Sequence, residues 1–149
     1  MGTSSRIGIR KGNKIHSVRV NYDGYLEGVG ECLLNHYNTE EKADELIKGG
    51  EIRSLQSDYV EYYEYDKDKE NESDIRYYID ELTETADGNF IAEAFIKHVH
   101  KSGCEYYYLM DNGKWFCGDA YGTETPISHK LVLLSDAFEI MKKYNCEEN

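Results

Sequence analysis

The chain has 149 residues, enough for one domain with one apolar core, and 40% of them are hydrophobic. Charged residues make up 31%, the mean hydropathy is −0.73 and the formal net charge is −12. Such a balance argues against a general DNA or RNA binder, which needs clustered cations, and no apolar run reaches the 18 residues of a membrane-spanning helix.

The charge is unevenly placed. Residues 1–20 hold Arg6, Arg10, Lys11, Lys14 and Arg19 with no acid, so residues 21–149 sum to −17. Residues 58–87 alone set twelve acids against Lys67, Lys69 and Arg76. Cys32, Cys104, Cys117 and Cys146 are too scattered for a disulfide framework. With no apolar export segment at the N-terminus they are expected to be reduced thiols in a cytoplasmic protein. Met1-Gly2 suggests N-myristoylation, but the motif needs Ser or Thr where Arg6 stands.

In chain order, Ser5–Arg10 and Ile15–Tyr22 alternate as strands around the hairpin loop Lys11-Gly12-Asn13-Lys14. The stretch 21–30, with Gly24, Gly28 and Gly30, then turns sharply into a short helix over Glu31–Tyr37. Asn38-Thr39-Glu40-Glu41 caps a second helix, which buries Ala43, Leu46 and Ile47 and stops at Gly49-Gly50. Asp58–Asp66 reads as a strand, Lys67–Ser73 as an exposed turn and Ile75–Leu82 as a further strand. Asn89–Lys101 is an amphipathic helix ended by Gly103. Glu105–Met110 and Lys114–Cys117 form a hairpin about Asn112-Gly113, and Lys130–Leu134 is a last strand. Ser135-Asp136 caps a closing helix through Tyr144. With no long βαβ alternation, the fold expected is α+β: one domain over 1–149, a mostly antiparallel sheet of hairpins packed with three to four helices.

Three runs carry a resemblance: Ser5-Arg6-Ile7-Gly8-Ile9, Tyr22-Asp23-Gly24-Tyr25-Leu26-Glu27-Gly28-Val29-Gly30 and Leu33-Leu34-Asn35-His36-Tyr37-Asn38. They resemble a family of small phage and prophage proteins with a Trp-Asp-Gly-Tyr-Pro-x-Gly-Val-Gly corner. The Asp111–Phe116 hairpin is similar to that family's C-terminal one. Tyr22 stands where the family usually has Trp, and Leu26 where it has Pro. The likeness covers about the first third of the chain well, and it implies a phage setting and a counter-defence role rather than an activity.

The chemistry legible in the residues is that of binding. Gly24, Gly28 and Gly30 could bring backbone N–H groups close to a phosphate, though the spacing is not that of a phosphate-binding loop and Glu27 and Glu31 would repel an anion unless turned away. Arg6, Arg10 and Arg19 alternate with apolar residues and are expected on one hairpin face, where guanidinium groups could fork a phosphate. Tyr22 and Tyr25 could stack a base. His98-Val99-His100 with Cys104 and Cys117 has metal-ligating residue types. Residues two apart on a helix diverge, however, and no metal or cofactor is expected. No nucleophile–base pattern accompanies the cysteines, so the chain is not expected to be an enzyme. Nine of the fourteen tyrosines fall in three strand-like clusters, which suggests a sheet face covered by a partner or by a second copy.

Two functions compete. One is a counter-defence protein that sequesters a small nucleotide-type immune signal through Arg6, Arg10, Arg19, Tyr22, Gly24, Tyr25, Gly28 and Gly30. The other is an acidic, nucleic-acid-mimicking inhibitor that blocks a basic host protein through Glu61, Glu64, Asp66 and Asp68. In both, the expected partners exclude nucleic acid and membrane, and a homo-oligomer is expected.

Overall fold

A computed structural model describes residues 2–57, 59–63, 80–83, 91–120 and 124–147. The elements in order are β1 (Ser5–Lys11), β2 (Lys14–Val20), a π-helical turn (Leu26–Gly30), α1 (Glu31–His36), α2 (Glu40–Lys48), β3 (Ile52–Gln56), β4 (Tyr59–Tyr62), β5 (Asp80–Thr83), α3 (Ile91–Lys101), β6 (Tyr106–Asp111), β7 (Lys114–Asp119), β8 (Val132–Leu133) and α4 (Leu134–Glu147). They build the α+β fold expected: four helices on an eight-stranded, mostly antiparallel sheet ordered β4-β3-β2-β1-β6-β7-β8, with β5 also on β2. Two pairings are parallel, β1 with β6 and β2 with β3. No helix among the described residues is long and apolar enough to cross a membrane.

Local chemistry explains the best-defined elements. Asn112 and Gly113 both take positive φ (54° and 79°), the backbone of a primed two-residue turn, so β6 and β7 pair without splaying. Thr39 Oγ1 accepts the Lys42 N–H at 3.2 Å and starts α2, whose buried stripe is Ala43, Leu46 and Ile47. The closing helix begins at Leu134, one residue before the expected Ser135-Asp136 cap, and Leu134 is fully buried in the core.

The sheet is covered on both faces. On one, Ile7, Val18, Ile52, Tyr108 and Met110 pack with Leu26 and Val29 of the π-turn, Leu33 of α1, Leu46 of α2 and Leu134 and Ala137 of α4. On the other, α3 sets Ile91, Phe95 and Val99 on Ile15, Tyr107 and Leu109, with the Phe95 and Tyr107 rings edge to face at 6.2 Å. Tyr107 and Tyr108, adjacent in β6, are therefore both fully buried on opposite faces. These tyrosines serve the two halves of one core and need no second copy to cover them.

Two expectations change. Ile52–Gln56 was not anticipated as a strand; its buried residues Ile52 and Leu55 are three apart because a bulge shifts the β3–β4 register between Ile52 and Ser54. The expected strands over Asp58–Asp66 and Ile75–Leu82 appear as Tyr59–Tyr62 and Asp80–Thr83. The parts at 64–79 and the turn at Lys67–Ser73 lie outside the described residues.

Candidate functional site

The glycine corner is a packed turn. Its three glycines have no positive φ; within the corner that conformation falls on Asp23 (57°). What they supply is close approach. A Cβ on Gly24 would lie 2.7 Å from Ser5 Cβ and 2.9 Å from the Ser4 carbonyl carbon. One on Gly28 would collide with the Asp23 carbonyl, and one on Gly30 would press the Tyr108 ring at 3.2 Å. The corner's amides are also engaged internally. Gly24 N–H donates to Thr3 O (2.8 Å), Val29 N–H to Asp23 O (2.8 Å), and Gly28 and Gly30 N–H to Tyr25 O (3.0 and 3.4 Å). Tyr108, fully buried, donates its hydroxyl to Gly24 O at 2.7 Å and pins the turn to β6. These amides are not offered to a phosphate.

Beside the corner, α1 and the end of β3 enclose a cleft of 320 Å³ lined by Asp23, Tyr25, Glu27, Gly28, Glu31, Cys32, Asn35, His36, Leu55, Gln56 and Ser57. Three carboxylates face it, and no lysine or arginine is among those lining residues. Glu27 and Glu31, one helical turn apart, thus stand on the cleft rather than away from it. The Tyr25 hydroxyl donates to Asp23 Oδ1 at 3.2 Å, and the Asp23 charge raises the phenol's pKa. Cys32 is buried and donates its thiol to Ser57 O at 3.8 Å.

Two exposed rings, Tyr25 and Tyr59, adjoin this cleft. Among the described residues, the large hydrophobic side chains most open to solvent are Tyr22 (43%), Tyr25 (38%) and Tyr59 (55%). Tyr25 lines the cleft, and Tyr59 pairs with Gln56, which lines it too. Rings beside carboxylates are the surroundings a guanidinium or ammonium group prefers.

The three arginines do share one face of the β1–β2 hairpin, with Arg6 opposite Arg19 in register. That face is the one covered by α3. Arg6 is buried and donates to Ser17 Oγ at 3.1 Å; Arg19 donates to Asn21 Oδ1 (2.8 Å) and, across to the end of α3, to Ser102 O (3.1 Å). Arg10 reaches Gly12 O at 3.1 Å and pairs with Asp111 Oδ2 at 3.5 Å. The corner packs on the opposite face through Tyr108, Leu26 and Val29. The sheet therefore separates Arg6, Arg10 and Arg19 from the glycine corner of Gly24, Tyr25, Gly28 and Gly30, and these two groups do not form one pocket; Tyr22 is exposed beside Gly2. Of the acidic set, Glu61 lies on β4 and accepts from Arg53 Nη1 at 3.4 Å, while Glu64, Asp66 and Asp68 fall outside the described residues.

No protein-family profile, curated protein or solved structure matches this chain.

Proposed function

We propose that this protein is a non-catalytic binding protein whose corner cleft docks a basic partner, as a phage counter-defence factor occupying the cationic surface of a host nucleic-acid-binding protein would. The observation that carries this reading is the convergence of Asp23, Glu27 and Glu31 on one cleft with Tyr25 on its wall. An arginine side chain entering there meets carboxylates for charge-assisted hydrogen bonds and a ring for cation–π contact. The net charge of −12 adds long-range attraction for the same partner. The phage setting is supported by the resemblance at the corner itself. A nucleotide held by the same cleft would bring its phosphates against three carboxylates.

Thermal melting distinguishes the two ligand classes. An arginine-rich peptide is expected to raise the melting temperature at low salt, because a ligand that binds the native state stabilises it. A panel of cyclic and ADP-ribose nucleotides is expected to leave it unchanged. Stabilisation by a nucleotide with none by the peptide would return the sequestration reading in place of this one.

A further inference from the structure

We propose a metal site separate from the cleft: a two-imidazole chelate formed by His100 and His129 for a divalent transition ion of the Zn²⁺, Ni²⁺ or Cu²⁺ class. Their ring centres lie 6.1 Å apart with planes at 65°. With metal–nitrogen bonds of about 2.1 Å and ring nitrogens ~1.1 Å from the ring centre, two imidazoles on one tetrahedral ion have centres roughly 5 Å apart. The rings now meet edge to face, so chelation requires χ torsions that turn both in-plane lone pairs to one point as well as closing the centres by about 1 Å, and both side chains are exposed.

The rest of the geometry prepares the pair. His100 Nδ1 lies 3.2 Å from Ala120 O. A carbonyl oxygen can only accept, so Nδ1 carries the proton and Nε2 keeps its lone pair, the tautomer that a backbone carbonyl imposes on metal-ligating histidines. His100 also sits in the last turn of α3, where the helix dipole favours a cation. His129 is held from the other side. Its backbone takes a φ of 58°, fixed by donation of its N–H to Asp119 O at 2.9 Å. Asp119 is 1% exposed and accepts from Thr125 Oγ1 (2.7 Å) and Ser128 Oγ (2.8 Å), so the loop presenting His129 is tied to the sheet.

Imidazole donors suit zinc, nickel and copper rather than calcium or magnesium. Among the described residues no group of three His, Cys, Asp or Glu side chains could hold an ion. The proposed chelate is therefore built on these two imidazoles, with water in its remaining positions. The His98-Val99-His100 run carried this chemistry in the sequence, yet the partner of His100 comes from a loop 29 positions on rather than from His98.

Calorimetric titration of tag-free, chelator-stripped protein with NiCl₂ and ZnCl₂ tests it. The full chain is expected to bind one equivalent of either ion. His100→Ala and His129→Asn should each weaken binding by more than about tenfold, the smallest loss typical of even an outer-shell partner. Asn keeps the left-handed backbone of position 129 accessible, and metal-free melts identify the folded variants. His98→Ala and Cys146→Ser should bind as the parent does. No saturable binding by the parent chain, or binding by His129→Asn equal to the parent's, overturns the proposal.

Discussion

Replacing Gly24 by alanine tests whether the corner is a close-packed turn. At a glycine without positive φ, alanine ordinarily stabilises by about 0.4–1 kcal/mol because it stiffens the unfolded chain. Here the added methyl would lie 2.7 Å from Ser5 Cβ and 2.9 Å from Ser4 backbone, so the turn must retreat by roughly 0.7 Å to reach ordinary contact. Overpacking of this kind costs about 1–3 kcal/mol. The retreat also pulls on two hydrogen bonds, Gly24 N–H to Thr3 O and Tyr108 Oη–H to Gly24 O, each worth about 1 kcal/mol. The losses exceed the entropic gain, and Gly24→Ala should destabilise by about 1–3 kcal/mol, a fall of several degrees in Tm for a chain this long. Urea unfolding followed by circular dichroism, with the slope checked against the parent protein, measures it. A variant as stable as the parent, or more stable, would refute the packed-turn account.

Two further outcomes follow from hydroxyl and thiol groups that are buried, or half-buried in the case of Tyr62. Tyr108→Phe leaves the Gly24 carbonyl without its donor in the core and should cost about 1–3 kcal/mol in the same assay; a change within experimental error would mean the phenol does not hold the corner. Burial pushes the Tyr62 phenol up from 10.0 to about 12, and burial with the Asp119 charge pushes the Cys117 thiol up from 9.0 to about 12. Both native pKa values lie above the unfolded ones, so this stability is complete below pH 9 and is lost as pH rises from 9 through about 12. Melting temperatures should fall across that alkaline window, and a flat profile there would contradict the burial of these groups.

The sequence revealed what neighbouring residues decide. Asn112-Gly113 specifies its turn, Thr39 caps its helix, and Arg6 and Arg19 share a face by strand parity. What it hid depends on chain far away. β3 was obscured because its bulge replaces alternation with a spacing of three. Arg19 and Gly24 are five residues apart, which invites placing them in one site. The chain turns between them, however, so the glycines pack on the face that carries Tyr108 while Arg19 faces α3. The cleft closes only when Leu55, Gln56 and Ser57 come to lie beside α1, and that places Asp23, Glu27 and Glu31 on a common wall. Their charge was visible in the sequence; their convergence required the fold.

Binding of a fluorescently labelled arginine-rich peptide, followed by anisotropy, tests the acidic cleft most directly when two triple variants are compared. Asp23→Asn/Glu27→Gln/Glu31→Gln removes the three carboxylates of the cleft, and Glu40→Gln/Glu41→Gln/Glu45→Gln removes three carboxylates from α2, each changing the net charge from −12 to −9. Loss of hydrogen bonds to charged groups, at about 1.5–3 kcal/mol each, corresponds to roughly tenfold to a hundredfold in Kd. The cleft variant should weaken binding by at least that first factor while the α2 variant stays near the parent. Equal, small losses in both would show that overall charge alone attracts the peptide, and the cleft would no longer be a binding site.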